Sequence, residues 1–177
     1  EPYLSSVVMA GGAIKRGGRD KLKQEVLSSL IEGSKQLCFG YAELQSRFDL
    51  DDVATTAKKE GDTYVINGQK SMVLNAESAD AIVVSVRTDG AQVDKNGISL
   101  FLVDADSKGV EMENFPTVDG LRASEISFEN VEVDSSRLIG PINEGFGILQ
   151  EATNDAILAL CAEAVGAMEV LYKDTVE

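Results

Sequence analysis

Between Phe39 and Asp52 the chain reads FGYAELQSRFDLDD, which sets one phenol, one glutamate, one arginine and three aspartates within fourteen residues. Asp49, Asp51 and Asp52 could hold a cation. They stand just before Val53, however, as an acidic helix start or turn would, and that structural reading is preferred over a metal site. Histidine is absent, so neither a Ser-His-Asp nor a Cys-His nucleophile can be assembled, and a metal would have to be held by carboxylates or thiolates. Catalysis would have to use carboxylates, hydroxyls, backbone amides or a bound cofactor. Asn67-Gly68-Gln69-Lys70-Ser71 shares a Lys-Ser ending with phosphate loops, but Gln69 separates glycine from lysine and no glycine lies at the upstream spacing, so a turn is expected. Asp104 to Gly109 (DADSKG) opens like a calcium loop, yet Lys108 stands where an oxygen ligand belongs and Phe115 where the bidentate glutamate belongs. It reads as a solvated turn. Gly140 to Gly147 (GPINEGFG) lacks the GxGxxG spacing and reads as a loop leading into a helix. No metal site is expected.

Three regimes must position these residues. The first is helical, with a Leu4/Val7/Val8 face ending near Gly11-Gly12. A second helix, capped by Asp20, carries Leu22, Val26, Leu27, Leu30 and Ile31 at the 3.6 period and stops at Gly33. Residues 36–138 are rich in strand signals. Tyr64-Val65-Ile66, Asn67-Gly68 and Gln69 to Leu74 predict a hairpin, since Asn-Gly supplies the positive φ of a tight turn. Ala81 to Val86 and Ile98 to Val103 read as strands. Val110 to Glu113 and Ile126 to Glu129 alternate, so one of their faces should meet solvent. Closely spaced short strands suggest a small barrel or sandwich. From about Glu144 the period returns to 3.6, with Ile157, Leu160, Cys161, Ala164, Val165, Met168 and Tyr172 on one stripe. A helix of roughly 30 residues would run about 45 Å, longer than a compact body of this size. Its stripe therefore calls for other helices, from a further domain or a partner subunit.

The net charge of −14 argues against nucleic acid, whose phosphates need clustered Lys and Arg. It argues equally against a basic membrane-surface helix. No apolar run reaches the roughly 18–20 residues of a membrane span, and a cytoplasmic location is expected. Cys38 and Cys161 form no CxxC pair and are expected to be reduced and buried. The chain opens on Glu1 rather than Met, which suggests a fragment.

Residues 39–52 resemble the flavin-contacting signature of acyl-CoA dehydrogenases, a Thr-Glu pair followed by Gly-(Ser/Thr)-Asp, with Glu43 and Asp49 in the places of its acids. GDTYVINGQKSMVLNAESADAIVVSVRTD, GISLFLVDADSKGVE and DGLRASEISFENVEVDSSRLIG resemble that family's middle domain. NEGFGILQ and the long helix resemble the start of its C-terminal helical domain, and Glu1–Gly33 the end of its N-terminal one. The resemblance implies an α+β fragment: residues 1–35 from the N-terminal helical domain, 36–140 a β-barrel middle domain, and 141–177 the truncated C-terminal domain. It implies FAD as cofactor, weakly held or absent in the isolated fragment, an acyl-CoA thioester as substrate and a homologous subunit in a homo- or heterotetramer. In the family a carboxylate takes the α-proton while FAD takes a hydride from the β-carbon, and the polarised thioester stabilises the enolate.

Two segments are implied to face the flavin. The first maps to Tyr41, Ala42, Arg47 and Phe48, with Ala42 for the usual threonine and bulky Phe48 for a small hydroxyl residue. The second maps to Met72, Val73 and Leu74, with Met72 for a tryptophan and Leu74 for a threonine. Each hydrogen bond lost to these replacements costs about 1–3 kcal/mol. A flavin-poor structural subunit of a heteromeric enzyme is therefore the alternative expectation. The family's base maps beyond Glu177 in most members and onto Ala156 in a minority, so no catalytic residue is expected here. Asp155 is next door but about 100° around the helix, and Ile157 replaces a buttressing arginine as an apolar stripe residue. Arg122 and Ser124, in GLRAS, are expected to tie a strand end to neighbouring backbone. Gly120 should relax the turn before them, and Glu43 should cap backbone or meet a subunit.

Overall fold

The computed structural model describes residues 2–176. A wide-wound π-helix over Tyr3–Gly11 runs directly into α1 (Gly12–Gly17), followed by α2 (Asp20–Ile31). The strands are β1 (Leu37–Gly40), β2 (Thr56–Glu60), β3 (Thr63–Leu74), β4 (Ala81–Arg87), β5 (Ile98–Asp104), β6 (Val110–Pro116), β7 (Arg122–Asp134) and β8 (Leu138–Ile139), before α3 (Gly145–Val176). They form one sheet in the order β6-β7-β3-β2-β4-β5-β8, with β1 paired in parallel to β4. In a flat sheet β3 and β5 would stand about 14 Å apart at the usual strand spacing. Tyr64 of β3 and Phe101 of β5 nevertheless bring their ring centroids to 4.8 Å. The sheet is therefore curled around its own core, in the manner of a barrel.

Alternation along the strands divides the interior in two. Cys38, Ile66, Ile82, Val84, Phe101, Ile126 and Phe128 fill the concave side. Leu37, Phe39, Val83, Leu100 and Leu102 face outward, onto Met9, Ala13, Ile14, Leu22, Val26, Leu149, Ala152 and Ala156 of the helices. Strands β4 and β5 are thus covered on both faces, which explains apolar runs broken only by the buried Ser85 and Ser99 before the terminal Arg87 and Asp104. β6 and β7 alternate between covered and exposed positions, as their sequences predict.

Four expectations are corrected. The helix does not stop at Gly11-Gly12; it passes through them, because Gly11 lets Leu30 approach where a Cβ would lie 2.8 Å from its Cδ2. Asp20 is not the cap of α2: Arg19 holds that place without a side-chain bond, and Asp20 sits in the first turn, where its charge suits the helix dipole. Asn67-Gly68 is not a hairpin turn. It is a register shift inside the continuous strand β3, opposite β7, and Gly68 (φ +147°) passes Thr55 so closely that a Cβ would lie 2.6 Å from its Cα. The turn that pairs β3 with β2 lies at Gly61 (φ +63°) instead. Finally, Cys38 is buried but Cys161 is exposed.

The long helix forms as expected, over 32 residues. Only its first half is covered: Leu158, Leu160, Val165, Met168, Leu171 and Tyr172 are exposed. Its base is tied to α1 by Arg16, which donates to Glu151 (2.9 Å) and Asp155 (2.5 Å). No helix among the described residues is long and apolar enough to cross a membrane.

Candidate functional site

The loop between β1 and β2 is organised by Glu43. Its backbone N–H donates to Ser46 Oγ (3.0 Å), and the Ser46 hydroxyl donates back to Glu43 O, closing a tight turn. Its carboxylate then reaches across the loop's exit. Oε2 accepts from Ala54 N (2.8 Å) and Gln45 Nε2 (2.8 Å), while Oε1 accepts from Thr55 N (3.1 Å) and Lys70 Nζ (2.6 Å). The backbone-capping expectation for Glu43 is borne out, and its cation is the finding the sequence reading missed. Lys70 has no exposed surface at all. Its ammonium also donates to Ser85 Oγ in β4 (3.1 Å), and its stem lies against Gly40, where a Cβ would approach Lys70 Cγ to 3.1 Å. A signal was available: Tyr64, Ile66 and Lys70 share the inward parity of β3.

Burial alone would raise the Glu43 carboxyl, but the Lys70 charge and the hydrogen bonds hold it below its ordinary value. Burial lowers the Lys70 ammonium to about 8 against the attraction of Glu43.

The exit of the same loop is laced by Arg87 at the end of β4. Its guanidinium donates to the carbonyls of Asp51 (2.8 Å), Gln92 (2.6 Å), Asp94 (2.6 Å) and Asn96 (2.9 Å), with a long contact to Val53 O (3.5 Å). In the acidic cluster, Asp52 Oδ1 accepts from Gln45 and Gln92 side-chain amides, as a turn would. No cluster of three or more potential metal-ligating side chains occurs among the described residues.

The two segments singled out by sequence lie side by side: Ser71 N donates to Ala42 O at 2.8 Å. Tyr41 packs edge-on against Phe39, with centroids 5.9 Å apart, and burial pushes its phenol above the ordinary range. Arg47 takes a left-handed φ of 50° and is exposed, and Phe48 beside it is 97% exposed. Met72 also takes a positive φ, 53°, where β3 shifts register against β7 between Lys70 and Val73, and this lifts its side chain half out of the protein. Glu125 caps the shift, accepting at Oε1 from Ser71 Oγ (2.8 Å) and Met72 N (3.3 Å). A cavity of about 220 Å³ opens beneath, lined by Glu43, Leu44, Thr55, Gly68, Lys70, Ser71 and Glu125 among others. Leu74 is not part of it. It lines a separate small pocket with Leu4, Leu121 and Arg122.

Ser124 Oγ donates to Asn114 Oδ1 across β6 and β7 (2.6 Å), while Arg122 O accepts from Asn75 N and its guanidinium pairs with Glu77. Both roles are structural, but the side chains bond other side chains, Asn114 and Glu77, and not the neighbouring backbone expected of them. Gly120 takes φ +83° in the turn between the two strands.

The acyl-CoA dehydrogenase middle-domain family matches residues 38–131, more than half of the chain, and the chain belongs to that family. It is 33% identical over 179 residues to a 3-(aryl)acrylate reductase of Clostridium sporogenes, covering 99% of this chain and 47% of that protein. The fold superimposes on butyryl-CoA dehydrogenase of Megasphaera elsdenii with a TM-score of 0.91 at 26% identity, over 98% of this chain and 46% of that one. It also matches a chain of the ChsE4-ChsE5 complex of Mycobacterium tuberculosis (TM-score 0.77, 29% identity, 87% and 40% of the two chains). The chain spans about half the length of the curated relatives it matches.

Proposed function

We propose that the complete protein carrying this chain is a flavin-linked oxidoreductase that adds or removes two hydrogens across the Cα–Cβ bond of an acyl-CoA thioester. One observation carries the reading. On a family-matching sheet, two segments thirty residues apart in sequence are joined by the Ser71–Ala42 hydrogen bond, and both send apolar side chains, Phe48 and Met72, into solvent.

FAD is the cofactor of this reading, and the residues fit it by surface rather than by side-chain donors. An exposed thioether and an exposed aromatic ring offer apolar contact to a planar ring. Ala42, Phe48, Met72 and Leu74 carry no side-chain donor, and Met72 N is already engaged by Glu125. Hydrogen bonding would fall to other backbone amides and to the exposed guanidinium of Arg47. Tyr41, Ala42, Arg47, Phe48, Met72 and Leu74 are the proposed flavin-side residues. When bound, the cofactor would accept or supply the hydride; the protein's part is to orient the ring and exclude water.

The base lies outside residues 1–177 on this reading. Asp155, its nearest stand-in, is committed to Arg16. The exposed apolar surface of α3 supports further helices or a homologous subunit as partner. The stretches YAELQSRFDLDDVATTAKK, GQKSMVLN and ALCAEAVGAMEVL are similar to the small subunit of pimeloyl-CoA dehydrogenase. Thioesters of dicarboxylic, aromatic or ring-derived acids are therefore the first substrates to test. The names of the relatives, a reductase and a dehydrogenase, favour an active oxidoreductase over a flavin-poor structural subunit.

The test is anaerobic. The complete flavin-loaded protein is titrated with saturated and α,β-unsaturated acyl-CoA thioesters while the flavin absorbance is followed. Bleaching by a saturated thioester, or reoxidation of the reduced protein by an unsaturated one, is expected. A flavin spectrum unmoved by either class would overturn the assignment.

A further inference from the structure

A charge pair sealed inside a sheet is a costly way to stabilise a fold. Taking both ions out of water offsets most of their mutual attraction, and well-packed neutral or apolar replacements of the whole pair are often as stable or more so. Glu43 and Lys70 are such a pair, with side chains 4% and 0% exposed and 2.6 Å between Oε1 and Nζ. Stability alone does not account for it, and its place in the chain suggests what does.

Glu43 is the second residue after Tyr41 and four before Arg47; Lys70 is two before Met72. Each partner is anchored beyond the pair. Glu43 grips the loop's exit through Ala54 N and Thr55 N, and Lys70 is fixed to β4 through Ser85 Oγ. Gly40 leaves room for the lysine stem. Two neighbouring backbone features need holding: the left-handed Arg47 and the left-handed Met72, conformations that L-residues adopt only when the surroundings over-determine them. The short bridge joins the two segments on which those residues lie.

We propose that Glu43 and Lys70 are positioning residues that lock the Tyr41–Phe48 loop to the Met72 bulge and so fix the surface that receives the flavin ring. They touch neither substrate nor cofactor. The proposal rests on the flavin reading above, and its test is built so that the two can fail separately.

The complete protein is compared with E43Q, K70M and E43Q/K70M. Each single change leaves a buried charge or a misplaced amide and lowers the unfolding midpoint, whereas the double variant removes both charges and recovers most of it. Flavin affinity is read by fluorescence titration, and the backbone by hydrogen exchange at 41–48 and 71–74. The expected result is a double variant that is stable yet binds FAD at least about tenfold more weakly, with faster exchange confined to those two segments. A purely structural pair would restore affinity together with stability, so a stable double variant with wild-type affinity would overturn the proposal. If wild-type protein takes up no flavin, the cofactor reading falls, and exchange alone decides the positioning role: unchanged protection at both segments in the stable double variant would refute it.

Discussion

Arg87 gives the sharpest stability prediction. Its four short hydrogen bonds, at 2.6 to 2.9 Å, all end on backbone carbonyls, from Asp51 on one side and Gln92, Asp94 and Asn96 on the other. No carboxylate among the described residues pairs with it in an ion bridge, so the guanidinium acts as a rigid fork that collects carbonyls. Hydrogen bonds to a charged group contribute about 1.5–3 kcal/mol each, which for four gives roughly 6 kcal/mol at the low end. The acceptors lie in part-buried loops that water can reach once the side chain is gone, so about half of that should survive as net loss. Arg87→Met should therefore cost about 3 kcal/mol, which for a domain of this size is about 6–12 °C in Tm. Arg87→Lys should recover little, because an ammonium has three donors at one point and cannot span both sides. Urea unfolding followed by circular dichroism measures the first quantity. Hydrogen exchange at 49–53 and 91–97 locates it. A loss below about 1 kcal/mol for the methionine variant, or full rescue by lysine, would refute the reasoning.

Other expectations follow from the same geometry. The Cys38 thiol, pushed up to about 12 by burial, should resist an aromatic disulfide reagent in the folded chain while exposed Cys161 reacts, and equal labelling rates would contradict the packing. Gly97→Ala should destabilise by more than about 3 kcal/mol, since φ is +89° and a Cβ would fall 2.0 Å from Asp89 O; a variant as stable as wild type in urea would show the turn placed wrongly. The Glu43 carboxyl is held below its ordinary value. Its stabilising contribution is therefore fully present above pH about 4.5 and is lost as pH falls through the lower folded value. Wild type should lose stability faster than E43Q on acidification below that point, and parallel acid profiles would contradict the assignment.

The parts of the fold that were readable from sequence are those where one periodicity governs a whole element. The apolar runs of β4 and β5, the alternation of β6 and β7 and the stripe of α3 each declare their burial locally. Asn67-Gly68 misled because a hairpin turn and a strand bulge call for the same residues; the opposing strand β7, sixty residues on, decides between them. Lys70 went unnoticed for a related reason: the carboxylate that permits its burial lies 27 residues away in sequence. Parity along β3 pointed inward, but only tertiary structure supplies the partner. Resemblance placed the proposed flavin-side residues in two segments. The structure adds the hydrogen bond between them, the positive φ at Arg47 and Met72, and the separation of Leu74 into its own pocket.

The central claim is that this family scaffold still receives a flavin although its hydroxyl donors are replaced. The most direct measurement is the flavin content of the complete protein, purified alone and with any homologous subunit that co-purifies, from absorbance of the released cofactor against protein concentration. Stoichiometric FAD in the lone protein or in its assembly is the predicted result. Protein that remains flavin-free in both states, even after incubation with excess FAD, would contradict it.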